Sequence, residues 1–165
     1  MSLHETIIDQ EDREFITTID HWTGDAIWEP AGDGFAGGVA SLYLQEHEDT
    51  KSMSLAYPHI QPKKGHTHRL YGGAGSAPFG KTITLIWTLT DGIQTFTDQI
   101  LVIASATPTP IDFNIDVPQD FKEDQAKLTI TAYEDAPDNN DALFIDRLSL
   151  TWESKIDYFP ILGIG

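Results

Sequence analysis

Apolar residues in this chain recur at every second position in short runs, and no window keeps a helical apolar period for three turns. Ile83, Leu85, Trp87 and Leu89 alternate with Thr84, Ile86 and Thr88, the pattern of a strand with one buried face. Similar β-branched and aromatic runs predict strands at 14–19, 39–44, 53–60, 67–71, 81–89, 94–103, 111–116, 126–133 and 142–152. Gly, Pro, Asn and Asp gather between them, at 32–38, 61–65, 72–80, 104–110 and 134–141. Asp91-Gly92 marks the clearest hairpin, because this pair tolerates the positive φ of a tight turn. About nine strands with connections of this length predict an all-β fold, two antiparallel sheets packed face to face as in sandwiches and jelly rolls.

The last predicted strand poses a charge problem. Under strict alternation Phe144, Asp146, Leu148, Leu150 and Trp152 share one face, and Leu143, Ile145, Arg147, Ser149 and Thr151 share the other. The apolar side then carries Asp146, whose carboxylate needs a cation, a metal or several hydrogen bonds to offset its lost hydration. Beyond Trp152 comes a tail with Tyr158, Phe159, Ile161, Leu162 and Ile164. Burying each of these is worth roughly 1.5–3 kcal/mol, so the tail is expected to dock, on its own domain or on a neighbouring subunit. The expected organisation is an N-terminal arm over 1–13, a sandwich domain over 14–152 and the apolar tail over 153–165.

Composition narrows the partners. A chain of 165 residues with 40% hydrophobic content fills one substantial core. Ten Lys plus Arg against 26 Asp plus Glu leave a formal charge of −16, which opposes phosphate backbones and anionic lipid, so neither nucleic acid nor membrane is an expected partner. There are no cysteines, which excludes disulfides and thiolate chemistry. The first nine residues lack the basic start and long apolar core of a signal peptide.

Three stretches carry a family likeness: Trp22-Thr23-Gly24-Asp25-Ala26-Ile27-Trp28 after a first strand, Gly37-Gly38-Val39-Ala40-Ser41-Leu42-Tyr43-Leu44 at a loop-to-strand junction, and the closing Phe144-Ile145-Asp146-Arg147-Leu148-Ser149-Leu150. Together their spacing resembles the jelly-roll carbohydrate-binding modules of families 4, 16 and 22, over nearly all of residues 14–152. The resemblance implies a jelly-roll topology and one structural Ca2+, held by the closing-strand acid, here Asp146, by a first-strand acid, Asp20 or Glu14, and by backbone oxygens near the Gly37-Gly38 turn. The chain departs from the family where Arg147 stands in place of a second Asp or Asn. For glycan stacking on aromatic rings, Trp22, Trp28, Tyr57 and Tyr71 fall near strand ends or loops, while Trp87 and Trp152 share parity with aliphatic residues and are expected in the core.

Other constellations are weaker. His66-Thr67-His68 places two imidazoles on one strand face but brings no third ligand, and is read as surface histidines near Lys63 and Lys64. Glu134 to Asp141 is oxygen-rich but lacks the glycine and terminal Glu of a calcium loop, and is read as an acidic turn. Gly72-Gly73-Ala74-Gly75-Ser76 lacks the Lys of a phosphate loop and is read as a flexible turn. No glycine-flanked serine elbow is present, so no enzyme activity is expected.

Two expectations follow. The first is a non-catalytic structural subunit that decorates or cements a phage capsid or tail and docks through its terminal arms onto protein partners or itself, located in the virion or, before assembly, in the host cytoplasm. The alternative is a carbohydrate-binding module that recognises a glycan through its loop aromatics.

Overall fold

The computed structural model describes residues 3–6, 8, 19–30, 38–78, 81–104 and 107–154. The strands are β1 (Leu3–Thr6), β2 (Thr23–Gly24), β3 (Ile27–Glu29), β4 (Val39–Tyr43), β5 (Thr50–Ala56), β6 (Thr67–Ala77), β7 (Thr82–Thr90), β8 (Thr95–Ile103), β9 (Thr109–Asp116), β10 (Lys127–Tyr133) and β11 (Ala142–Ser154), with one short 3-10 turn at Glu123–Gln125. They form two antiparallel sheets. One runs β3-β4-β11-β6-β9 with β1 also paired to β11, and the other runs β2-β5-β10-β7-β8. The all-β, two-sheet sandwich read from the periodicity is the fold observed. The strand expected at 14–19 lies outside the described residues apart from Ile19, which is not in a strand.

Alternation explains the core. Ile83, Leu85, Trp87 and Leu89 of β7 and Leu128 and Ile130 of β10 face Leu42, Leu70, Leu143, Ile145, Leu148 and Leu150 of the opposite sheet. The hairpin at Asp91-Gly92 forms as read, with Gly92 at φ 92° and Thr90 opposite Thr95.

β11 departs from strict alternation. Asp146 pairs with Gly73, yet Ser149 pairs with Tyr71, so β11 carries one residue more than β6 across this interval. Arg147 sits in the bulge at φ 55°. A single inserted residue reverses the parity of everything after it. Leu143 and Ile145 therefore face the main core together with Leu148 and Leu150, while Phe144 joins Val39 and Ala142 in a second cluster on the other side. Asp146 belongs to that second side, not to the face of Leu148 and Leu150 as strict alternation required.

Two segments expected to be irregular are paired. Gly72–Ser76, read as a turn, continues β6, with Gly72–Ala74 paired to β9 and Gly73–Ser76 paired to β11, and the bare glycine backbone admits the bulge. Leu3–Thr6, expected in an arm, pairs with Thr151–Ser154 of the same chain, and Ile8 is buried and bridges to Ile60. The tail residues Tyr158, Phe159, Ile161, Leu162 and Ile164 lie outside the described residues.

Candidate functional site

Antiparallel pairing brings the ends of β5, β7, β9 and β11 and the starts of β6, β8 and β10 to one end of the sandwich. The connections at this end enclose a cleft of about 1150 Å³. Tyr57, Gln61, Lys63, Lys64, Gln119 and Lys122 line it together with Trp152. Tyr57 is 44% exposed, and Trp152, which carries the His66 ring edge-on at 4.7 Å, is half-buried. The expected core role of Trp152 fails at the end of β11, where the inward face opens into this cleft.

The cleft walls are tied to one another by side chains that bind backbone. Asp91, buried at the hairpin, accepts the N–H groups of Ile93 at 2.9 Å and Gln94 at 2.7 Å on one oxygen, and that of Lys122 at 3.0 Å on the other. These backbone bonds, the one from Lys122 foremost, pull its carboxyl down to about 2. Glu123 accepts the Lys64 N–H at 2.7 Å. His68 accepts the Lys63 N–H on Nε2 at 2.9 Å and donates from Nδ1 to the His66 carbonyl at 3.0 Å. Burial pushes the His68 imidazole down to about 4, so it stays neutral at pH 7 with both ring nitrogens engaged. His66 and His68 are accordingly not a pair of surface histidines: His68 is a buried tie beneath the cleft, and neither of its ring nitrogens is left for a metal.

The four aromatics singled out for stacking are not brought together. Trp22 is buried in the main core, which removes it from any glycan surface. Trp28 stands on the edge strand β3 and is 36% exposed. Tyr71 lies on the outer side of the six-stranded sheet with the Arg69 guanidinium 4.8 Å above its ring, and Arg69 in turn donates two bonds to Asp112 at 2.8 and 3.0 Å. Tyr57 alone of the four opens into the cleft. Sequence reasoning missed Trp152, Gln61, Gln119 and Lys122. The available signal was that the connections after β5 and β9 must emerge at the same end of the sandwich as the end of β11.

The acidic positions resolve differently. Asp146 is 3% exposed, accepts the Arg147 N–H at 2.8 Å and has Arg147 Nε at 3.8 Å. Asp20 is exposed in a turn, and Glu14 lies outside the described residues. Among the described residues no group of three or more His, Asp or Glu side chains converges where it could hold a metal. The acidic turn encloses a cation of the chain's own: Lys81 Nζ lies 2.8 Å from Asp138, 3.2 Å from Asp141 and 3.7 Å from Glu134. Burial, then the bond to Asp141, raises the Glu134 carboxyl to about 7. A second hollow, of about 460 Å³, lies beside Glu29 and Tyr43. Tyr43 and Ser41 both donate to the Glu29 carboxylate, and burial together with that bond pushes the Tyr43 phenol up to about 12.

No protein-family model matches the chain, and no curated protein matches it in sequence. Solved structures do match its fold. A family 61 carbohydrate-binding module in complex with β-1,4-galactotriose aligns over 88% of this chain and 97% of its own at 14% identity, TM-score 0.56. The CBM22-1 xylan-binding domain of Paenibacillus barcinonensis Xyn10C aligns over 91% and 92% at 12% identity, TM-score 0.57. The enzymatically active domain of bacteriophage CBA120 tailspike protein 4 aligns over 88% of this chain but 21% of its own, at 12% identity and TM-score 0.58. Likeness at these identities establishes the fold, a jelly-roll β-sandwich of the kind carbohydrate-binding modules have.

Proposed function

We propose that this chain is a non-catalytic carbohydrate-binding module that takes a glycan into the end cleft, with the Tyr57 ring as the stacking surface. The observation that carries this reading is an aromatic ring 44% exposed at the mouth of a concave site whose walls are cross-tied before any ligand arrives. Sugar faces pack on such rings while amides fix the hydroxyls, and Gln61 and Gln119 supply amides to the same cleft. Pre-formed walls lower the ordering cost of binding. Likeness to isolated binding modules along nearly their whole length adds support. A glycan array, followed by calorimetry on any hit with wild type and Tyr57→Ala, tests it. Silence across plant, microbial and host glycans would sink the reading.

A second reading, a virion decoration or tail subunit, draws support from the fold it shares with part of a phage tailspike protein. Light scattering on the full chain and on a chain ending at Trp152 tests the assembly role given to Tyr158, Phe159, Ile161, Leu162 and Ile164. Equal mass and solubility would remove it. Calcium at Asp146 is a separate proposal, supported by the depth of that carboxylate. A rise in Tm on adding calcium to chelator-treated wild type, absent in Asp146→Ala, is its expected signature.

A further inference from the structure

The outer face of the five-stranded sheet carries no carboxylate at any outward position of β2, β5, β10, β7 or β8, in a chain with 26 acidic residues. Thr and Ser fill most of these positions, and Lys127 is the one charged residue among them. A single row of hydroxyls crosses the whole sheet. Thr23 lies opposite Ser54, Ser54 opposite Thr129, Thr129 opposite Thr88, and Thr88 opposite Thr97. Ser54 and Thr129 are bonded at 2.8 Å, Ser52 and Thr131 at 2.8 Å, and Thr88 and Thr97 at 3.3 Å. On the margin strand β8, Leu101 is 58% and Ile103 56% exposed, with half-buried Ile86 beside them on β7. The outer side of the other sheet differs, carrying Glu29, Asp112, Asp116 and the buried Asp146.

From this charge distribution we infer that the hydroxyl face is the docking surface for a second copy of this chain, packed face to face about a twofold axis. Two copies each carrying −16 repel wherever their carboxylates meet. Screening in physiological salt leaves only charges within about 8 Å effective, so a surface with no outward carboxylate, flanked by Asp25 on the Ser52 N–H and Asp98 on the Gln99 N–H, is where two copies approach at least cost. An isologous contact places the same patch on both partners, and a neutral face is self-complementary in charge. Leu101, Ile103 and Ile86 supply apolar area to bury. A neutral glycan fits this face less well, because many of the hydroxyls are already bonded to one another and Tyr133 is the one aromatic residue among the outward positions.

Sedimentation equilibrium of the full chain in physiological salt tests the inference, alongside Thr88→Glu, Leu101→Glu and the uncharged control Thr88→Gln. A wild-type mass of twice 18.3 kDa is expected, retained in Thr88→Gln and halved in both Glu variants, with circular dichroism unchanged because the positions face solvent. A wild type that stays at the single-chain mass at its highest soluble concentration overturns the inference, as does a dimer that survives both Glu variants. A single-chain wild type whose glycan binding is lost in Thr88→Glu also overturns it and assigns the face to sugar.

Discussion

Gly72 lies against the bulged backbone of Arg147, so closely that a Cβ on Gly72 would stand 3.0 Å from the Arg147 carbonyl oxygen and 3.0 Å from the Leu148 Cα. Both contacts are to backbone, which has no rotamer to yield. The glycine is therefore the partner that lets β11 bulge, and the bulge is what turns Asp146 away from Leu148 and Leu150. Gly72→Ala is expected to destabilise the fold by about 1–3 kcal/mol, the usual cost of overpacking, read as a lower urea midpoint. An unchanged midpoint would mean that the bulge does not need the bare Cα.

His68 gives the cleft a pH limit. Its unfolded value is 6.5 and its folded value about 4, so between the two the unfolded chain binds the extra proton. The stability it contributes is complete above pH 6.5 and is lost as pH falls through 4, amounting to at most about 3 kcal/mol at 1.36 kcal/mol per unit. Protonation also removes the acceptor for the Lys63 N–H. NMR titration should find the His68 ring neutral at pH 6, changing near pH 4; a midpoint near 6.5 would place the ring in solvent.

Tyr57→Ala should weaken glycan binding about tenfold, or 1.4 kcal/mol, and leave Tm within a degree or so of wild type, since an exposed ring adds little to the core. Trp28→Ala, remote from the cleft, should leave affinity unchanged. Calorimetry on both variants separates a ring that stacks on sugar from one that is merely exposed.

Lys81 holds Glu134, Asp138 and Asp141 together. Lys81→Met is expected to lower stability most well above pH 7, where all three acids are charged and unanswered. The gap from wild type should narrow as pH falls, because Glu134, raised to about 7, takes up its proton first. Urea unfolding at pH 8 and pH 5 measures this; a gap that is the same at both would show that the cluster is held by something other than charge.

Much of the fold was legible in the chain. The β7 alternation, the Asp91-Gly92 hairpin and the core position of Trp87 needed nothing beyond local pattern and turn chemistry. The bulge in β11 was not legible, because one inserted residue leaves a run of apolar and polar positions that reads equally well without it. Gly72–Ser76 looked like a turn because glycines end strands more often than they continue them. Their reason for being in β6 lies across the ladder, in Arg147 and Leu148. Of the candidate site, Tyr57 was legible as an aromatic at a strand end, while the position of Trp152 at the cleft depended on where β11 stops.

By itself the sequence determined a two-layer β protein with an apolar interior and a strongly acidic exterior, because alternation and charge are properties each segment carries alone. Tertiary structure alone decided which connections share an end, which of the aromatics meets solvent in a cleft, that Asp146 falls beside Phe144, and that the hydroxyls of five strands line up on a face without acids. Each of these depends on strand order and register between residues far apart in the chain, and pairing of that kind leaves no mark on any one segment.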